Sequence, residues 1–150
     1  MQYWLMKSEP DAFGIDTLKK QNVSPWDGVR NYQARNFMRT MAVGDKVLFY
    51  HSNAKPSGVA GLAEVARSAY PDLTCIDPES KYFDPKSTPK VPRWDMVDVR
   101  FVRAFRSVLS LDQLRDIPEL SDMMLFNRSR LSVQPIEARH YAVITKMADI

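Results

Sequence analysis

KVLFYHS, Lys46 to Ser52, is followed across a short loop holding Pro56 by GVAGLAEVARS, Gly58 to Ser68, and the pairing of these two runs decides the fold. The first run is rich in aromatic and β-branched residues, which suit a pleated, half-buried surface. The second offers small and branched side chains as its partner. With the turn Val43-Gly44-Asp45 leading in, the two read as a hairpin-like pair within a barrel or curled sheet. Gly61, inside the second run, marks a bend or a close backbone approach.

Working outward, Gln2 to Lys7 reads as a strand stopped by Pro10, WDMVDVRFV (Trp94 to Val102) alternates with Val97, Val99 and Phe101 on one face, and RLSVQPI supplies a short final strand. Helical spacing places Ile15 and Leu18 together over Ile15 to Gln21. It also gathers Ala34, Phe37, Met38 and Met41 on one side of a helix from Asn31 to Met41, with Arg35, Asn36 and Arg39 on the other. Ser110 and Gln113 form a capping box for LDQLRDI. Pro135 is expected to open a C-terminal helix in which Ile136, His140, Val143, Ile144 and Met147 share a stripe. Tyr70 to Arg93 is proline-rich and reads as a long ordered loop. The class is α+β, with a small, barrel-like sheet decorated by short helices.

A chain of 150 residues fits one domain with one core, spanning 1–150. Twenty-one Lys plus Arg against 18 Asp plus Glu give a net charge of +3, compatible with a nucleic-acid partner without requiring one. Cys75 is the only cysteine, so neither a disulfide framework nor a thiolate zinc cluster is expected, and a reducing compartment, the cytoplasm, fits. The start MQYWLMKSEP has no long apolar core of a signal peptide, and no run reaches the ~20 apolar residues of a membrane span. No G-x-S-x-G elbow, H-E-x-x-H pair, Walker loop or G-x-G-x-x-G is present, and five glycines leave little for a phosphate cradle. With His51 and His140 the only histidines, neither a metal nor a cofactor is expected. His140 reads as a packing residue on its apolar stripe; His51, ending a strand beside Ser52 and Asn53, reads as either barrel packing or cleft lining.

SPWDGVRNYQARN, Ser24 to Asn36, sets two large aromatics, three amides and two guanidinium groups around one glycine. A packing segment would be mostly aliphatic, and a spare loop rarely carries a tryptophan. The stretch reads as a holding segment. Glu9 and Asp27 offer a carboxylate pair, equally suited to salt bridges or capping.

YWLMKSEP, WDGVRNYQARN, VGDKVLFYHSN, GVAGLAEV, SKYFDPKS, PRWDMVDVRF and RLSVQP, in that order, resemble the EVE domain of the PUA-like superfamily over essentially the whole chain. The resemblance implies a PUA-like small barrel with a pocket for a modified nucleobase, because EVE domains are similar to YTH domains, which cage methylated adenine. It associates the chain with methylated or hydroxymethylated cytosine in DNA. The YTH pattern of a lysine-serine pair and a later tryptophan is similar to Lys7-Ser8 and Trp26, and its second cage aromatic resembles Tyr82 or Phe83.

On this reading Trp26 stacks on a flipped base, replacing the few kcal/mol of stacking and pairing lost on flipping. Ser8, Glu9 and Asp27 meet its exocyclic amine or ring nitrogens, Asn31 and Asn53 supply donors and acceptors, and His51 and Tyr82 complete the pocket. Lys7, Arg30, Arg35 and Arg39 meet phosphates, the three arginines following the pocket residues along one helix. The plainer alternatives are core packing for Trp26, Trp4 and Trp94 and a solvated helix face for the arginines. Three functions stay open: a non-enzymatic reader of modified DNA, a reader of RNA, and a hydrolase of modified nucleosides like some ASCH relatives, with Lys7, Glu9 and Asp27 as its acid-base group. A protein-interaction module is a further possibility.

Overall fold

The run Lys46–His51 is a strand buried along its whole middle, and its alternate side chains enter two different cores. This is seen in a computed structural model that describes residues 1–148. In chain order the regular elements are β1 (Tyr3–Ser8), α1 (Pro10–Phe13), α2 (Ile15–Gln21), β2 (Val23–Trp26), α3 (Tyr32–Arg39), β3 (Lys46–His51), β4 (Gly58–Pro71), β5 (Asp95–Ser110), α4 (Leu111–Arg115), β6 (Val133–Ile136) and α5 (Ala138–Ala148). They form one mixed six-stranded sheet in the order β2-β5-β4-β3-β1-β6. β1 runs parallel to β3, from Tyr3 opposite Lys46 to Ser8 opposite His51, and the other pairings are antiparallel.

The fold is α+β, and the sheet is curled but open: β2 and β6 end the row without pairing to each other. This is the curled, barrel-like sheet that the sequence suggests, with a four-residue strand at each of its open edges. Trp4, Met6, Val47, Phe49, Val97 and Val99 project to one side, against Ile15 and Leu18 of α2 and Ala34 and Met38 of α3. Leu5, Leu48, Tyr50 and Leu109 project to the other, against Leu114 of α4 and Ile144 of α5. Each fully buried large aliphatic side chain here contributes about 1.5–3 kcal/mol. Trp4 is a core residue of β1, as its strand predicts, while Trp94, equally buried, lies just before β5, stacked on Tyr32 with its indole N–H donating to Asp84 at 2.8 Å.

The predicted capping box holds: Ser110 Oγ accepts from the Gln113 N–H and Gln113 Oε1 from the Ser110 N–H. Gly61 does lie at a close approach, because a Cβ there would stand 2.4 Å from the Arg103 carbonyl oxygen. Pro135 does not open a helix. It sits in β6 opposite Trp4, on the edge of the sheet where a missing N–H costs no ladder bond, and α5 starts at Ala138. Ile136 therefore belongs to the strand, while His140 and Ile144 are buried on α5 as expected. His140 is satisfied: Nδ1 accepts from the Glu137 N–H, and Nε2 faces Asp122.

Asp45 ties the chain start to this frame. Its carboxylate accepts from the Trp4 indole at 3.0 Å, the Gln2 N–H at 3.1 Å and the Ala42 N–H at 3.0 Å. Burial pushes its pKa up, but these donors outweigh it and hold the group below the ordinary carboxylate range. A depressed folded-state pKa contributes stability that is present above the unfolded value of ~3.9 and lost as pH falls through the folded one. Asp45→Ala is expected to cost about 1–3 kcal/mol at neutral pH by leaving the buried indole N–H unpaired. Urea unfolding at pH 7 and pH 3 checks this: the gap between variant and parent should narrow at the lower pH.

Candidate nucleic-acid interface

β1 and β2 deliver their last residues to one cavity of about 630 Å³. Lys7, Ser8 and Glu9 reach it from β1, Phe13 from α1, Trp26, Asp27 and Gly28 from the end of β2, and Lys81 and Tyr82 from the long loop. Of the residues assigned to a base pocket, Ser8, Glu9, Trp26, Asp27 and Tyr82 therefore come together. Trp26 is at once core and wall. Only 6% of it is exposed, its ring meets Phe13 and Phe49 edge-on at 5.9 and 5.4 Å, and its remaining surface lines the cavity.

Gly28 explains why the segment carries a glycine. Its φ of +77° belongs to the left-handed region, and a Cβ would fall 2.5 Å from the Tyr82 ring. Tyr82 lies directly over the backbone at this point. Arg30, which also lines the cavity, bolts the arrangement together: it donates to Asp72 Oδ2 at 3.1 Å, to Thr74 Oγ1 at 3.1 Å and to the Tyr82 carbonyl at 3.0 and 2.8 Å. Asp72 is fully buried and also accepts from the Gly28 N–H at 2.9 Å. Tyr82 is thus anchored from the far side of the chain.

The charges are graded across the cavity. Burial and the nearby Asp72 carboxylate push the Asp27 carboxyl up, only partly offset by its backbone hydrogen bond, Arg30 and Lys81. Burial pulls Lys7 down, and its ammonium donates to the Ser129 carbonyl at 2.9 Å while lying 5.6 Å from the Tyr50 ring centre. Glu9 accepts from Asn53 Nδ2 at 2.6 Å. The result is a partly enclosed slot with aromatic rings on its walls and hydrogen-bonding groups of both kinds at its rim, suited to a planar polar guest.

Three expected pocket residues stand outside it. Asn53 supports Glu9 without lining the cavity. His51 Nε2 accepts from the Ile15 N–H at 3.1 Å, so the ring caps α2, carries its proton on Nδ1, and is pulled below the usual histidine range by burial. Asn31 caps α3, its Oδ1 accepting from the Ala34 N–H at 3.0 Å, and lines a separate hollow. The arginines also differ from expectation. Arg30 precedes α3, and its guanidinium is committed as described. Arg35 donates to the Arg93 carbonyl at 2.8 Å and to Asn36, lying over Tyr32, while Arg39 pairs with Asp95. Lys81 and Phe13 were missed, since nothing in their local sequence sets them apart from an ordinary loop cation and a packing ring.

A PUA-like α+β domain with a polar, aromatic-walled cavity at the ends of β1 and β2 is the class these features define. The chain belongs to the EVE domain family, whose model matches residues 2–147. It is 40% identical to thymocyte nuclear protein 1 of Homo sapiens over 98% of this chain and 74% of that protein. A hypothetical protein from Leishmania major superposes with a TM-score of 0.97 at 59% identity, covering 99% of this chain and 95% of that one. Human THYN1 protein in complex with 5-methylcytosine-containing DNA gives a TM-score of 0.95 at 39% identity, covering 100% and 99%. No helix among the described residues is long and apolar enough to cross a membrane.

Proposed function

We propose that this chain is a non-enzymatic module that binds DNA and takes a methylated or hydroxymethylated cytosine, turned out of the helix, into the cavity between Trp26 and Tyr82. The observation that carries the reading is the cavity itself, where two anchored aromatic side chains meet Ser8, Glu9 and Asp27 at one rim. Stacking on the rings restores part of what the base loses on leaving the duplex. A cytosine edge presents an amine donor, which the Asp27 carboxyl can accept, beside a ring-nitrogen acceptor, which the Ser8 hydroxyl can meet as donor. The relative bound to 5-methylcytosine DNA supports the choice of modification and of DNA over RNA. Binding rather than catalysis is favoured because Lys7 and Glu9 are each tied to a neighbour. The lone Cys75 is buried and free, in keeping with a reducing compartment, cytoplasm or nucleus.

The test is a binding panel of DNA and RNA oligonucleotides that differ only at one cytosine, unmodified, 5-methyl or 5-hydroxymethyl. One enclosed methyl is worth about 0.8 kcal/mol, so methylated DNA should bind roughly fourfold tighter than its parent. Equal affinity across the panel would remove the base-reading assignment, tighter binding of RNA would reassign the nucleic acid, and turnover of modified cytidines would make the protein an enzyme.

A further inference from the structure

Asn127 to Ser132 forms a loop that adjoins the cavity and is fixed from below. Ser132 lines the cavity, its carbonyl accepts from the Lys7 N–H at 2.8 Å, and the Ser129 carbonyl takes the Lys7 ammonium at 2.9 Å. Gln134, fully buried in β6, donates from Nε2 to the Arg128 carbonyl at 3.0 Å and the Leu131 carbonyl at 2.9 Å. The Arg128 N–H is held by the Met124 carbonyl at 2.7 Å. With several loop carbonyls engaged inward, Arg128 and Arg130 are both exposed and line a hollow of about 280 Å³ together with Asn31 and Gln33.

No carboxylate lines this hollow. Among the described residues the Arg128 guanidinium donates only to the Gln33 amide oxygen, and Arg130 makes no side-chain hydrogen bond or ion pair. Arg30, Arg39, Arg100 and Arg139 instead face Asp72, Asp95, Glu64 and Asp122. Arg35 and Arg67 also make no ion pair among the described residues, but Arg35 is held by a carbonyl and an amide and Arg67 lies over Tyr70, and neither shares a hollow with a second arginine as Arg128 and Arg130 do. Two guanidinium groups without a counter-anion, on a braced loop with amide donors beside them, match the fork geometry and charge of a phosphodiester.

We infer that the Asn127–Ser132 loop is the phosphate-binding element of this chain, with Arg128 and Arg130 holding the backbone of the strand whose base enters the cavity. The inference rests on the nucleic-acid reading above and moves the phosphate contacts away from α3. Such contacts fix register and orientation and carry no sequence information.

The experiment measures the affinity of 5-methylcytosine and unmodified DNA across a salt series for the parent, Arg128→Ala/Arg130→Ala, Arg128→Lys/Arg130→Lys and Arg39→Ala. Each lost phosphate contact lowers the log–log salt slope by about 0.7–0.9, so the double alanine variant should lose about 1.5. Its affinity should fall for both strands alike, with their ratio kept. The lysine pair should retain most of the slope and Arg39→Ala all of it. Melting should be unchanged, because the loop is braced through its carbonyls. An unchanged slope in the double alanine variant, or a loss carried by Arg39→Ala instead, overturns the inference. Should the parent show no preference for the methylated strand while the double variant still loses its slope, the base reading fails and the phosphate element stands. A parent that binds no DNA removes both.

Discussion

Trp26→Ala is expected to lower stability by about 3–5 kcal/mol, the usual cost of truncating a large buried aromatic side chain. For a domain of this size that is a fall of about 10–15 °C in melting temperature. The ring is 6% exposed and wedged edge-on against Phe13 and Phe49, and its backbone pairs β2 to β5 opposite Val97. The alanine variant alone therefore cannot separate wall from core, since lost binding would follow from lost packing. Trp26→Phe separates them. It keeps an aromatic wedge, should melt within a few degrees of the parent, and, if the indole stacks on the base, should weaken binding of the methylated strand by less than the ~1–3 kcal/mol that alanine costs, because the phenyl face is smaller. A phenylalanine variant with undiminished preference for the modified strand would leave Trp26 with a packing role only.

Local pattern carried most of the fold. α2 runs over the predicted residues, the capping box at Ser110 is present, β1 and β3 fall where their aromatic and aliphatic runs put them, and the first half of β5 falls where alternation does. β5 extends well beyond its predicted end and β4 runs on from Ser68 to Pro71, because cross-strand pairing sustains Arg103 to Leu109 and Tyr70 to Pro71 where hydrophobic alternation fades. β2 was illegible for a related reason. VSPW is four residues with a proline, tolerable only because it lies on an edge, and edge position is a property of the whole sheet. That β2 and β6 end the sheet as unpaired edges is likewise a property of the whole strand order and of no single strand.

The site divides along the same line. Lys7, Ser8 and Glu9 lie at the end of a recognisable strand, where side chains leave the sheet, and Trp26 and Asp27, marked by residue type and family resemblance and not by their strand, meet them there. Tyr82 was reached only through family resemblance, because nothing within its loop signals that Gly28, 54 positions earlier, leaves the space its ring fills. Two of the three polar residues that fell outside the cavity share one feature. Asn31 and His51 are next to helix N-termini in sequence or space, where backbone N–H groups compete for any side-chain acceptor. A short polar side chain near a helix start is a cap before it is a ligand.

Arg30→Ala should have the second large effect, and it is an effect on the fold. Asp72 is fully buried and keeps donors from the Gly28 N–H and from the N–H and hydroxyl of Thr74, but it would lose its only cationic partner. Breaking a buried pair from one side costs about 3–5 kcal/mol. The Arg30 side chain is 23% exposed, so water can reach the vacated space and the lower end, about 3 kcal/mol, is expected. The same change frees the Tyr82 carbonyl from two donors, so the ring over Gly28 loses its anchor and affinity for the methylated strand falls with stability. Arg30→Lys should rescue little, because a single ammonium cannot span Asp72, Thr74 and the Tyr82 carbonyl as the planar fork does. A double-mutant cycle with Asp72→Asn isolates the pair: the asparagine change should cost distinctly less once Arg30 is gone. A phosphate-binding Arg30 predicts the opposite set of results, with normal melting, additive effects and a salt slope smaller by about one. The two roles of this arginine therefore separate on a melting curve before any DNA is added.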